Sequence, residues 1–386
     1  MTELAVVGSA VVHGDRVEGS DVVIRDGTIV SVGPSIVIPD GAELVPAEGL
    51  LVAPGFVDLQ VNGAHGVDIT EEPERLWEVA SVLPRYGVCA FLPTVVTSPS
   101  EAPRRAIAAL ARRPDGFVGA EPVGLHFEGP MLNPERRGAH ASGFLRAPDS
   151  ELVAGWTRAE GVALVTMAPE LPGAIAVIAQ LAANGVVVAA GHTAATVREM
   201  EEAIDAGLGY VTHLFNAMAA FGHREPGPVG VALADARLTV GLIADGIHVH
   251  PTAVAMAWRA LGPDRLNLVS DAVAALGQPH GATRLGSQDV TVDGSGVRLP
   301  DGTLAGSALS LDEAVRNLVT YTGCAAHDAI ATVTSTPARL LGLPSAGEVA
   351  PGRRADLTLL TPELQVAGTL IAGRRVHPSK VVAWKS

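Results

Sequence analysis

Val186-Val-Val-Ala-Ala-Gly-His-Thr193 sets six small or β-branched apolar residues directly before a histidine. A short run with no polar face reads as a parallel strand buried on both sides. Three more runs lead into polar side chains in the same manner: Val123 to Phe127 before Glu128, Tyr210 to Thr212 before His213, and Leu266 to Ser270 before Asp271. Parallel α/β barrels assemble their sites from residues at the carboxyl ends of strands. A carboxylate and two imidazoles delivered there can hold a divalent metal and leave a coordination position for water. The pattern points to an enzyme.

Working outward, the runs Phe56 to Gln60, Val88 to Thr94, Val162 to Met167 and Leu238 to Ala244 bring the total to eight, the number that closes a barrel. Amphipathic stretches separate them, among them Ala194 to Ala206 before Gly207 and Leu311 to Thr322 before Gly323, each ended by a glycine suited to a helix C-terminus. Both chain ends read as antiparallel strands instead. These are Leu4 to Val12, Val22 to Val32 broken by the Asp26-Gly27 hairpin signal, Ala355 to Leu360, and Thr369 to Val376 with a turn at Gly373. Neither terminal piece buries a core alone, so the economical arrangement pairs them. The expected fold is α/β: a TIM-like (β/α)8 barrel over residues 54–344, with a small β-sandwich built from residues 1–53 and 345–386.

Two stretches interrupt the alternation. Residues 129–150 carry Pro130, Pro134, Arg136, Arg137, Gly138 and His140 and read as an ordered loop over the barrel mouth. Residues 274–306 contain the alternating segment Asp289 to Leu299, read as a β-hairpin insert. Long loops at a catalytic face are usually functional.

With 386 residues, 48% hydrophobic and 18% charged, the chain has ample apolar material for a large core, and disorder is excluded. A formal net charge of −14 argues against a nucleic-acid surface and requires any anionic substrate to meet a local cationic pocket. Arginine supplies nearly all the positive charge, the only lysines being Lys380 and Lys385. Two cysteines make no disulfide framework: Cys89 lies in the apolar run Val88 to Leu92, and Cys324 follows a helix end. No apolar stretch reaches the roughly 20 residues of a membrane span, so neither a membrane nor a nucleic-acid partner is expected, and the setting is expected to be cytoplasmic.

The motifs in order are Pro54-Gly-Phe-Val-Asp-Leu-Gln-Val-Asn-Gly63, His126-Phe-Glu-Gly-Pro130, Gly138-Ala-His140, Gly191-His-Thr193, Thr212-His-Leu-Phe-Asn-Ala-Met218, Arg224-Glu-Pro-Gly227, Ala244-Asp-Gly-Ile-His-Val249, Ser270-Asp271 and Leu304-Ala-Gly-Ser307. Their joint order resembles the N-acetylglucosamine-6-phosphate deacetylases, a branch of the amidohydrolase superfamily. The resemblance implies hydrolysis of the acetamide of N-acetyl-D-glucosamine 6-phosphate, in amino-sugar catabolism and cell-wall recycling. It assigns Glu128, His192 and His213 as ligands of one divalent metal per subunit, a donor set suited to zinc or ferrous iron. Asp271 is expected to be the general acid and base, since amine expulsion needs the proton that the attacking water gives up. His140 is expected near the reacting carbonyl, as an oxyanion donor.

Many amidohydrolases hold two metals through a His-x-His pair on the first strand and a carboxylated lysine on the fourth. Here Gln60 and Asn62 occupy the first-strand positions and the barrel has no lysine, which favours a single metal, with His65 the nearest candidate for a second weak site. For the substrate, the resemblance implies Arg224 and His248 on the 6-phosphate, the backbone of Asn216 and Ala217 as an anion nest at a helix opening, and further contacts from Asp245, Gln60, Ala139 and Leu304-Ala305-Gly306. It also implies a homodimer in which Arg224 reaches the partner's site. The galactosamine epimer is the alternative substrate, and a catalytically silent sugar-phosphate sensor is the alternative outside enzymology.

Overall fold

The structure, a computed structural model, describes residues 3–14 and 16–377; Lys380 and Lys385 lie outside the described residues. Eight parallel strands follow one another around the barrel: Phe56–Val61, Val88–Val96, Leu125–Glu128, Val162–Met167, Val187–Ala190, Leu208–Val211, Thr239–Leu242 and Leu266–Leu268. Each pairs with the next in parallel register. The parallel bridge Val61↔Ala272 and the Ser270 hydroxyl, which donates to the Gln60 carbonyl at 3.3 Å, join the segment after the eighth strand to the first strand. The strands match the expected runs with small shifts. The third begins two residues late, after Gly124 in a left-handed conformation (φ 131°), and so carries Glu128 as its last residue.

Most of these strands lack a polar face because both faces are covered, the exceptions being the first, where Asp58 and Gln60 alternate with apolar residues, and the third, where His126 and Glu128 do. Every residue of Val88–Val96 and Val162–Met167 is buried. Helices such as Ala174–Ala183 and Val197–Asp205 pack apolar residues onto the outside. The helix Val197–Asp205 begins with a capping box, in which the Thr196 hydroxyl accepts from the Glu199 amide while the Glu199 carboxylate accepts from the Thr196 amide. Leu311–Thr322 ends at Gly323, left-handed at φ 69°, as its sequence implies.

Both termini contribute to one continuous eight-stranded sheet, in which Leu51–Pro54 pairs antiparallel with Leu357–Leu360. Residues from its separate parts, including Val6, Val22, Val45, Leu357 and Leu370, share one core cluster. The 281–298 insert is larger than the hairpin expected: Gly281–Leu285 adds a third antiparallel strand to Gln288–Asp293 and Gly296–Arg298. Its first strand alternates weakly because four of its five residues are not buried, which hid it from periodicity. The insert packs Leu285, Val290, Val292 and Val297 against Val96 and Val273 at the barrel mouth.

Candidate metal and substrate site

The carboxyl ends of the third, fifth, sixth and eighth strands deliver Glu128, His192, His213 and Asp271 to one cavity of about 340 Å³. Delivery depends on unusual backbone. His192 (φ 51°), His213 (φ 31°) and Asp271 (φ 50°) all adopt left-handed conformations that non-glycine residues rarely hold. Before His192, a Cβ on Gly191 would lie 2.6 Å from Thr166 Cγ2, so only glycine lets the fifth strand pass its neighbour there.

Glu128 is the hub. Its buried Oε1 lies 3.2 Å from His192 Nε2 and 2.9 Å from His213 Nε2, and its Oε2 lies 3.7 Å from His140 Nε2. The rings of His140, His192 and His213 stack edge to face, with centroid separations of 4.4 and 5.0 Å. Burial raises the proton affinity of the Glu128 carboxyl, but the two imidazoles beside it, His192 and His213, outweigh that and hold the group well below the carboxylate range. For His213, burial acts downward and the bond to Glu128 prevails, so its affinity rises.

Donor atoms of Glu128, His140 and His192 lie within 4.8 Å of one another, a grouping that a metal ion fits. The hydrogen bonds separate the three histidines. His140 Nδ1 accepts the Thr97 amide at 3.3 Å, so in the neutral ring Nε2 carries the hydrogen and is a donor rather than a ligand. Burial, then the neighbouring His192, pull its pKa down to about 3, which keeps the ring neutral. His192 Nδ1 donates to the Arg136 carbonyl at 2.9 Å, leaving the Nε2 lone pair of the neutral ring directed at Glu128. His213 Nδ1 is buried with no partner. A carboxylate oxygen facing two imidazole nitrogens is a donor set that suits a divalent cation.

Asp271 is buried, and its Oδ1 accepts from Asn62 Nδ2 at 2.7 Å. Burial first, and the Glu128 charge second, raise its pKa to about 7. On the far wall His248 Nδ1 donates to Asp245 Oδ2 at 2.7 Å, while the other Asp245 oxygen accepts the amides of Ile247 and His248. The bond aims the opposite edge of the His248 ring at the cavity.

Ala139, His140, Asn216, Ala217, His248, Leu304 and Gly306 line the cavity. Four expected contacts lie elsewhere. Asp245 sits behind His248, Ala305 packs into the core under the insert, Gln60 is buried in the first strand with its amide nitrogen unpartnered, and Arg224 is exposed in the 219–226 connection. The expected nest at Asn216 and Ala217 needs correction: the Asn216 amide is spent on the His213 carbonyl at 3.1 Å, and the next helix opens only at Gly227. His65 is engaged with the Tyr86 hydroxyl at 3.0 Å and does not reach the cavity.

Sequence reading passed over several residues. Asn62 stands at a first-strand position where many amidohydrolases carry a ligand histidine, and period-2 spacing places it on one strand face with Asp58 and Gln60. His126, two residues before Glu128, lies beneath it and bonds Thr166 Oγ1 at 2.8 Å, which in turn bonds Thr212 Oγ1 at 2.7 Å. Glu135 and Arg136 also line the cavity.

Comparison with known proteins accords with this geometry. Residues 51–376 match the amidohydrolase family. A zebrafish (Danio rerio) N-acetylglucosamine-6-phosphate deacetylase is 36% identical over 387 residues, covering 96% of each chain, and the human enzyme of that name is 40% identical over 344 residues, covering 85% of this chain and 84% of its own. A variant of the Mycobacterium smegmatis deacetylase, solved in complex with N-acetyl-D-glucosamine-6-phosphate, superposes with a TM-score of 0.90 at 34% identity, covering 97% of this chain and 100% of that one. The chain belongs to the amidohydrolase family and, within it, to the N-acetylglucosamine-6-phosphate deacetylases.

Proposed function

We propose that this protein hydrolyses the acetamide of N-acetyl-D-glucosamine 6-phosphate to D-glucosamine 6-phosphate and acetate, in amino-sugar catabolism and cell-wall recycling. The observation that supports this most directly is a buried carboxylate ringed by imidazoles on the same cavity as an aspartate of raised proton affinity. Glu128, His192 and His213 are the proposed ligands of one divalent cation, zinc or ferrous iron. Bound there, such a cation lowers the pKa of a water and polarises the acetyl carbonyl. A single cation is favoured because Asn62 is committed to Asp271 and His65 to Tyr86.

Asp271 takes the proton from the attacking water and returns it to the departing amine nitrogen. Asn62 holds Oδ1 of that carboxylate, leaving Oδ2 for the transfer. His140 Nε2–H is the donor to the oxygen that becomes negative in the tetrahedral state, its tautomer set by the Thr97 amide. His248, oriented by Asp245, faces the 6-phosphate, and Ala139, Asn216, Ala217, Leu304 and Gly306 surround the sugar.

Arg224, exposed and away from its own cavity, is proposed to complete the phosphate site of a second subunit in a homodimer. Among the described residues no helix is long and apolar enough to cross a membrane; a cytoplasmic setting is part of the proposal, and both cysteines are free.

Metal analysis of the purified protein, with acetate release from N-acetylglucosamine 6-phosphate, its unphosphorylated form and the galactosamine epimer, tests the reading. A preference for the epimer overturns the substrate assignment. Mixing Arg224→Ala with Asp271→Asn subunits tests the dimer: a shared site restores acetate release in the mixture, whereas a site complete within one subunit does not.

A further inference from the structure

We infer that Glu170 is a positioning residue for His192, its one carboxylate holding both the two residues that follow His192 and the loop residue Asn133 that leads to its ring. The inference rests on the reading of His192 as a metal ligand. Glu170 lies just beyond the fourth strand, Val162–Met167, and touches neither the cavity nor Glu128. Its carboxylate nevertheless has three donors.

One arm holds the chain leaving His192. Glu170 Oε2 accepts the Thr193 hydroxyl at 2.5 Å and Oε1 accepts the Ala194 amide at 2.7 Å. These are the two residues after His192, whose left-handed φ of 51° must be held by its surroundings. The other arm passes through the mouth loop. Glu170 Oε1 accepts Asn133 Nδ2 at 2.8 Å, and the Asn133 backbone amide donates to the His192 carbonyl at 3.0 Å. Asn133 Oδ1 also caps the short turn Pro134–Arg136 by accepting the Glu135 amide at 2.9 Å. That turn ends at Arg136, whose carbonyl receives His192 Nδ1–H at 2.9 Å.

Both routes therefore close on the same histidine. The backbone arm sets where the imidazole enters the mouth, and the loop arm sets its tautomer, because a carbonyl only accepts and so fixes the hydrogen of the neutral ring on Nδ1. Partners of this kind commonly shift metal affinity by about 10 to 100-fold when removed. An ordinary brace between two loops would instead affect folding alone.

The test measures zinc affinity by chelator competition on full-length protein stripped of metal, beside the unfolding temperature. Glu170→Ala is expected to weaken zinc binding about 10 to 100-fold. Glu170→Gln, which retains a carbonyl acceptor, is expected to lose less, and Thr193→Val and Asn133→Ala each to reproduce part of the loss. Should Glu170→Ala fail to fold, Asn133→Ala carries the same readout from the loop arm. A Glu170→Ala protein that unfolds at lower temperature yet binds zinc like the parent overturns the inference and leaves the ligand reading intact. Zinc affinity indifferent to His192→Ala overturns the ligand reading and the inference with it.

Discussion

The hairpins of the terminal sheet and the strand ends of the barrel both contain non-glycine residues in left-handed backbone, and the two regions use that conformation differently. Asp26 (φ 47°) and Gly27 (φ 79°) join the paired residues Arg25 and Thr28, and Ala372 (φ 47°) and Gly373 (φ 71°) join Ile371 and Arg374. Positive φ at both central positions is what a two-residue type I′ hairpin needs to match strand twist. At His192, His213 and Asp271 no hairpin asks for it. There each left-handed residue follows a buried strand and turns a polar side chain across the mouth, at a cost of order 1–3 kcal/mol per residue. Tertiary hydrogen bonds, such as Asn133 N–H to the His192 carbonyl, offset that cost. Strain in the sheet is thus a local matter of turn chemistry, while strain in the barrel exists only because the fold imposes it and the site employs it.

The largest effect that would sharpen this contrast is expected from Glu128→Ala, which removes the oxygen facing His192 and His213. Metal content and acetate release should both fall to background; full metal occupancy would show that the strained residues do not converge on a shared ion. Next comes Asp271→Asn, expected to lower acetate release by about 10²–10⁴-fold while sugar phosphate still binds. Unchanged release would remove Asp271 from the chemistry.

A smaller effect concerns buried charge beneath the site. Asp58, buried in the first strand against Ser270, has its pKa raised from the ordinary 3.8 to about 6, chiefly by burial against the opposing bonds from Ser270 and Gln60. The folded state therefore binds a proton that the unfolded chain has already released. Stability from this group is present below pH 3.8, is lost as pH rises through about 6, and is then constant. The loss is at most about 3 kcal/mol. Asp58→Asn should become progressively more stable relative to the parent across that window in denaturant titrations. A difference independent of pH would mean the carboxyl is not the source.

The smallest effect belongs to the hairpins. A Cβ on Gly27 would lie 2.9 Å from the Ala372 carbonyl oxygen, at a φ of 79°. Gly27→Ala should cost about 1–3 kcal/mol of stability and leave acetate release per folded molecule unchanged. Altered turnover would break the separation between the two regions.

The eight strands and both hairpins were legible because each is written in contiguous residues. Val162 to Met167 is apolar but for Thr166, and Asp26-Gly27 has one good use between alternating segments. The four site residues were legible for a related reason: each stands at or just past the end of such a run. The first strand of the insert was not, since Gly281–Leu285 buries little and carries almost no periodic signal. Nor was Glu170, whose three donors come from the mouth loop and from the end of the fifth strand, or the pairing of Asn62 with Asp271, 209 positions apart.

The order of residues along the chain alone determined the alternation of strand and helix, the turns, and which polar groups stand at strand ends, because backbone periodicity and turn geometry act over a few neighbours. Only the tertiary structure decided which oxygen meets which nitrogen, that Asn216 spends its amide on His213, that Arg224 stands apart from its own cavity, and how strongly burial shifts Asp271. Hydrogen bonds and desolvation depend on distances through space, and in a closed barrel those distances are set by strands far apart in the chain.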